Sequence, residues 1–411
     1  MPKILDHLLH LSNIRVDSNR NLKLLYLNRV FRDLVNKLSF FFFPIYLFEL
    51  GKNSVLADLP LTDIQKGMLM VVIFYLVMKI INLITFIPTN RFFVKFGYQR
   101  TMTASYLMRI ISLVVIYYTG QYPDLIWLVI FLEAIHSGLF WPTYYTLLSR
   151  YAIKSKMGAD LGVLQLMLQI VAMLSPAVAG FISVQLGLSV LFLFGIAGTM
   201  VSLILSMMTE STIEKDQISW REFLSWMREP RYSRLAMALG GRYINDSIIY
   251  IWPLYVFFIL GSVDKVGYLY SIALFMAFLV TFFLASMIDK IRSHKLFKTS
   301  GGIMSVLWLF RTQIISPWSI AFIDATNTLV GNFHWLFFEM QMMRRGKGSQ
   351  AFSYFVYSEI IAAIAGTLMW SVVGVIFLIG KGWTSVFLVG SLAVLLSTLM
   401  TERHAFDGPH Q

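Results

Sequence analysis

The 411-residue chain has no cysteine, so it carries neither a disulfide framework nor a thiolate metal site. Charge is nearly as scarce. Asp, Glu, Lys and Arg make up 14% of the residues, where a soluble protein carries about a quarter. No glycine–lysine phosphate loop is present, which argues against an ATP-driven pump. Paired-histidine zinc motifs, glycine-flanked nucleophilic serines and acid–histidine acyltransferase signatures are also missing, and the seven histidines are scattered. The first 30 residues are too charged and broken for a signal-peptide core, although 4–11 forms a short amphipathic stretch suited to a membrane surface. The sequence therefore gives no reason to expect an enzyme, a cofactor or a metal.

What it has in abundance is apolar residues, 57% of the chain, gathered in blocks rather than stripes. Taking runs of roughly 18 or more mostly apolar residues as membrane spans, twelve segments emerge. The first six cover 34–50, 67–87, 102–119, 125–148, 161–186 and 188–208. The second six cover 235–260, 266–288, 300–315, 317–343, 352–379 and 383–400, and the ninth is the shortest. The expected organisation is an N-terminal segment (1–33), a six-helix bundle (34–208), a central loop (209–234), a second six-helix bundle (235–400) and a tail (401–411).

A net charge of +12 would suggest nucleic acid in a soluble protein. Here the basic residues instead collect on alternate loops. Arg15, Arg20 and Lys23 precede segment 1; Arg91, Lys95 and Arg100 follow segment 2; Arg150, Lys154 and Lys156 follow segment 4. Arg221, Arg228 and Arg231 lie in the central loop, Lys290, Arg292, Lys295 and Lys298 after segment 8, and Arg344, Arg345 and Lys347 after segment 10. The other loops hold little beyond Lys52, Lys265 and Lys381. By the positive-inside rule both termini and the central loop are cytoplasmic, in a cell membrane (plasma or inner). The basic surplus sets topology, and nucleic acid is excluded as a partner.

The central loop mixes charge with Trp220, Phe223, Leu224 and Trp226, the pattern of an interfacial amphipathic helix. The halves it joins resemble each other. Phe43-Pro44-Ile45-Tyr46-Leu47-Phe48, ending at Gly51, repeats as Trp252-Pro253-Leu254-Tyr255-Val256-Phe257, ending at Gly261. Gly138-Leu139-Phe140-Trp141 repeats as Gly331-Asn332-Phe333-His334. Repeated bundles with a site between them are a common secondary-transporter design.

With these features the chain resembles the major facilitator superfamily. The loop after segment 2, Asn90 to Arg100, carries Lys95, Gly97 and Arg100 of the family's cytoplasmic motif, with Val94 in place of its aspartate and Asn90 in place of its first glycine. The second-half copy keeps Asp289 and Lys290 but has Arg292 for the glycine. Ser175-Pro176-Ala177-Val178-Ala179-Gly180 is similar to the family's antiporter motif, with two glycines changed. The resemblance implies an all-α integral membrane fold, twelve transmembrane helices in two pseudo-symmetric bundles, and alternating access. It also implies loop gate contacts at Lys95, Arg100, Asp289 and Lys290.

Charges within spans cost about 2.5–3.5 kcal/mol each and are functional candidates by default. The repeat sets Asp33, Asn36 and Lys37 of segment 1 against Arg242, Asn245 and Asp246 of segment 7, with opposite charges aligned. Two arrangements are open: cross-bundle pairs, Asp33 with Arg242 and Lys37 with Asp246, forming a gate, or pairing within each helix at i, i+4. Glu133, Asp324 and Glu359 lie nearer the midplane. Each is either a proton carrier, a role also open to Asp33 and Asp246, or the structural partner of Arg109, Lys79 or Arg311. Glu133 leads because segment 4 should line the cavity and His136 is nearly one turn away. Asn36, Asn245, His136, Trp141, Tyr144, Tyr145, Trp252, His334 and Trp335 are the candidate substrate contacts, against ordinary packing for the aromatics. The resulting expectation is a monomeric carrier of a small molecule in the bilayer, coupled to protons and exporting an amphipathic compound. Sugar or peptide uptake, and a sensor or scaffold without transport, are the alternatives.

Overall fold

The computed structural model describes residues 20–152, 157–210, 218–288, 294–314, 316–346 and 350–400. Among them run twelve long helices. The first six are α1 (Arg20–Val55), α2 (Asp63–Val94), α3 (Tyr98–Tyr118), α4 (Ile126–Tyr151), α5 (Met157–Leu186) and α6 (Val190–Met207). The second six are α7 (Pro230–Leu260), α8 (Val263–Ile288), α9 (His294–Phe310), α10 (Pro317–Arg345), α11 (Ala351–Leu378) and α12 (Trp383–Ser397). Nine of the helices among these residues are long and apolar enough to cross a membrane. The other three are α9 and α12, with 17 and 15 residues, and the polar α10. The fold is all-helical and multi-pass.

The first helix begins earlier than the hydropathy run that marks it. Leu22, Leu25 and Asn28 are buried, and Asn28 ties α1 to its neighbours: its Nδ2 donates to the Ser202 carbonyl at 2.8 Å, and Tyr106 donates to its Oδ1 at 2.5 Å. Arg29, Arg32 and Asp33 therefore lie inside the helix, where the sequence placed a segment boundary. Pro44 has no N–H to continue the ladder, so α1 loosens into a π stretch over Asn36–Phe40 and bends at Phe41 and Phe42 before resuming. Its repeat mate Pro253 sits within an uninterrupted α7. The glycines differ too. Gly261 ends α7 at φ 69° in the left-handed region, whereas Gly51 is right-handed at φ −67° and opens a second π stretch to Val55.

The linker helix, Trp220–Met227, is capped by Ser219, whose hydroxyl accepts from the Glu222 N–H at 3.1 Å. Its apolar face packs on protein: Phe223 and Trp226 lie 5.6 and 4.6 Å from the Tyr357 ring of α11. We call this the linker end of the molecule.

The bundles meet at both ends. At the far end the Ser271 hydroxyl accepts from the Ala177 N–H at 3.0 Å, and the side chain of Gln65 donates to the Leu378 carbonyl at 3.1 Å. Gly267 fits against the Pro176 carbonyl, and a Cβ on Gly180 would stand 3.0 Å from the Asp264 Cα, so small residues allow α5 and α8 to cross closely. At the linker end Tyr98 meets Phe352 at 5.5 Å and Tyr145 meets Phe355 at 5.6 Å.

Candidate functional site

Between the bundles lies a cavity of about 240 Å³ lined by α1, α5, α8 and α10. Asp33 and Lys37, the gate candidates of α1, form part of its wall. Gln165, Gln169, Thr328 and Asn332 supply most of the remaining polarity, and Gln165 donates to Asn332 across the bundles at 3.5 Å. Nothing in the sequence reading singled these four out. Their signal was there: each helix carries two polar residues at i, i+4 inside an otherwise apolar run, which puts both on one face.

Near it, α1 and α4 form a cationic, aromatic wall. The Arg29 guanidinium lies 4.7 Å from the Trp141 ring centre and 5.6 Å from that of Tyr144. Arg32 lies 4.1 Å from Phe140 and 4.3 Å from Trp141. Across the divide, Arg242 of α7 faces Phe338 at 5.2 Å and Trp335 at 6.0 Å. Trp141 and Tyr144 thus lie against Arg29, and Trp141 also against Arg32, two arginines the sequence reading missed, while Trp335 lies against Arg242. Deep in the span, Asp246 keeps 41% of its side chain accessible and Tyr250 is 55% exposed.

Of the aligned charges, those of α7 pair within their own helix, while among the described residues no ion pair joins Asp33 to Lys37 in α1. Arg242 Nε lies 3.7 Å from Asp246 Oδ2, one turn on. Among the described residues no ion pair joins Asp33 to Arg242 or Lys37 to Asp246; Arg242 is held locally by its i, i+4 acid and two rings. Among the described residues Lys95 and Arg100 form no ion pair. Lys95 lies over Phe92 and Phe96 at 4.5 and 5.3 Å, and Arg100 is exposed. Asp289 and Lys290 fall outside the described residues. Asn90, in the family's glycine position, donates to the Phe86 and Gly138 carbonyls at 2.8 and 3.1 Å and so ties α2 to α4.

The three midplane acids divide into two kinds. Glu133, which the sequence left open as a proton carrier or the structural partner of a basic residue, is bonded by Arg109 and accepts from Ser112 at 2.6 Å; Arg109 also donates to Asn36 at 2.9 Å. Asp324 repeats this in the second bundle, accepting from Arg311 at 3.0 Å and from Trp252 Nε1 at 2.9 Å. Each bundle therefore closes one buried arginine–carboxylate pair between its third and fourth helices. Among the described residues Glu359 forms no ion pair with an arginine. It accepts from the Tyr243 hydroxyl at 2.9 Å, and the charge acting on it most strongly is Lys79 of α2, in the other bundle. The stem of Lys79 lies against Gly366 of α11, where a Cβ would meet it at 3.0 Å.

Several substrate candidates are used inside their own bundles. His136 Nδ1 bonds the Ser105 carbonyl at 2.8 Å. His334 bonds the Phe297 carbonyl at 3.0 Å and the Ser397 hydroxyl at 2.8 Å, and stacks on Phe297 at 4.4 Å. Asn245 accepts from Trp308 at 2.9 Å, and Trp252 is committed to Asp324. These side chains spend their polar atoms on helix–helix contacts within the bundles. They do not line the cavity.

The chain is similar in structure to FucP, a Major Facilitator Superfamily transporter in the outward conformation, with a TM-score of 0.64 at 15% identity over 94% of this chain and 98% of that one. It is also similar to the human organic anion transporter MFSD10 (TETRAN), with a TM-score of 0.69 at 12% identity over 92% and 98%. A variant of the E. coli fucose:proton symporter FucP gives 0.63 at 13% identity over 92% and 96%. At these identities the likeness speaks for the fold alone. No curated protein matches the sequence. The sequence profile of the Major Facilitator Superfamily matches residues 25–358, and the chain belongs to that superfamily of transporters.

Proposed function

We propose that this protein is a secondary active carrier that moves a small amphipathic solute by alternating access, exporting it in exchange for protons that Glu359 carries. The observation that supports the proton role is that Glu359, bonded to Tyr243 of α7, lies on α11, the helix against whose Gly366 the Lys79 stem of α2 packs from the other bundle. Arg242 and Arg32 are the other basic groups that act on it. Alternating access moves one bundle against the other, so a contact between α2 and α11 changes during the cycle, whereas the Arg109–Glu133 and Arg311–Asp324 pairs travel with their own bundles. When Lys79 withdraws, an isolated carboxylate in an apolar setting binds a proton; when Lys79 returns, the proton leaves. One structure of similar fold is a fucose:proton symporter, so this architecture supports such coupling.

Export rests on the Pro176 segment, whose resemblance to the antiporter motif falls where α5 crosses Gly267 of α8. The alternation of basic loops supports cytoplasmic termini in a plasma or inner membrane. The test uses proteoliposomes and a solute found by thermal stabilisation, where saturation at 100 times Kd adds about 2.7 kcal/mol. Glu359→Gln should abolish accumulation driven by a pH gradient and spare solute counterflow, since exchange need not cycle the proton. Gradient-driven accumulation that persists in this variant overturns the assignment.

A further inference from the structure

Arg29 and Arg32 form no ion pair and no hydrogen bond among the described residues. Arg32 is buried, at 9% exposure, and no protein group accepts from its Nε; Arg29 Nη1 is buried and likewise unmatched. The Tyr144 hydroxyl and Arg242 Nη1 are two further buried groups without a partner in the same region. Apolar rings receive the faces of the guanidinium groups, leaving their edges to donate. An arginine buried without an acid is unfavourable, and its planar fork matches the paired oxygens of a carboxylate, sulfonate or phosphate.

The balance of charge on α1 agrees. Between Arg20 and Lys37 of α1 the basic residues, Arg29 and Arg32 among them, are set against Asp33 alone, and Arg242 already has Asp246. Asp33 and Glu339 are the acids that act on Arg29, and neither forms an ion pair with it. Asp33 and Lys37 line the cavity, and Arg29 sits one helical turn from Asp33 toward the linker end, beyond the lining residues. Arg29, Arg32 and Asp33 all act on Tyr250, the exposed tyrosine of the opposite bundle. Trp141, Tyr145 and Trp335 offer flat apolar surface beside them. The neighbouring cavity that Asp33 and Lys37 line, of about 240 Å³, is of ring size rather than lipid size.

We propose that the solute is a small organic anion, its acidic group held by Arg29 and Arg32 and its ring by Trp141 and its aromatic neighbours. The inference names the substrate class of the carrier proposed above and rests on that reading. The probes are naphthalene-1-sulfonate, benzoate and phenyl phosphate, with 1-naphthylmethylammonium and 1-naphthol as the cationic and neutral counterparts. Thermal unfolding of the purified wild-type protein should shift upward with at least one anion at millimolar concentration, and not with the ammonium or the alcohol. Arg32→Gln should weaken that anion by roughly tenfold or more, the worth of a charge-assisted contact, and Arg32→Lys should restore part of it. Should Arg32→Gln fail to fold, the preference of the wild-type protein decides. Stabilisation by the ammonium equal to that by any anion, or by no anion at all, overturns the inference. Counterflow separates the two readings: an anion that binds without exchanging sinks the carrier and spares the site, whereas exchange of only neutral or cationic solutes does the reverse.

Discussion

Glu133 and Arg109 give the clearest quantitative test of the structure. Both are buried, at 5% and 7% exposure, and each is the other's charge partner. Glu133→Gln keeps the shape and an acceptor for Ser112 but leaves the guanidinium without its counter-charge. Breaking a buried pair in this way costs about 3–5 kcal/mol. Two contacts survive to offset the loss: Asn36 still accepts from Arg109 at 2.9 Å, and the Phe40 ring lies 3.8 Å from the guanidinium. A cation over a ring contributes about 0.5–2 kcal/mol, so the expected destabilisation is roughly 2–4 kcal/mol. Replacing both partners by apolar residues of similar volume, Glu133→Leu with Arg109→Met, removes both buried charges and should cost less than either single change. The assay is a double-mutant cycle read from the unfolding midpoints of detergent-purified protein. The ordering is the readout, because twelve helices in two bundles need not unfold in one step. Glu133→Gln as stable as wild type, or a double variant worse than the sum of the singles, refutes a mutually dependent pair. Proton coupling per folded molecule should meanwhile survive in Glu133→Gln, in contrast to Glu359→Gln.

Two further outcomes follow from the charges. Since Arg242 pairs within α7, exchanging it with its helix partner (Arg242→Asp with Asp246→Arg) should recover transport lost in either single variant, whereas Asp33→Arg with Arg242→Asp should be worse than either alone; the opposite ranking in a counterflow assay would restore the cross-bundle gate. For the orientation, a cysteine replacing Gln121 should react with impermeant maleimide added outside intact cells and one replacing Lys295 should not, and inverted labelling would reverse the topology.

Most of the fold was legible because burial in a bilayer is written as length and hydropathy, and no other soluble or fibrous class fits twelve apolar blocks. The boundaries were less so, for a reason visible in α1. Hydropathy marks where a helix meets lipid, and the residues from Arg20 to Asp33 belong to a helix whose polar groups are buried against protein. Asn28, between Ser202 and Tyr106, is satisfied only by tertiary contacts that no single segment encodes. Reading a boundary there removed Arg29 and Arg32 from the candidate charges. The same limit governs the histidines. His136 and His334 look alike to a potential ligand and to a structural cross-link, and only the carbonyls they meet decide.

The acids show where sequence reasoning stops and geometry takes over. Arg109, Lys79 and Arg311 were each identified as possible partners of the three carboxylates, and the structure matches Arg109 to Glu133 and Arg311 to Asp324 while packing the stem of Lys79 on α11, the helix that carries Glu359. Chemically these pairings are much alike. What distinguishes them is which rigid body each partner belongs to. A pair inside one bundle keeps its geometry however the bundles rock, so the carboxylate keeps one environment and has no means of releasing a proton on one side and binding it on the other. A pair that spans the bundles has two environments by construction, and two environments are what coupling to a gradient requires. By that criterion we propose that Glu133, the leading candidate in the sequence, is a brace, and that the coupling role belongs to Glu359.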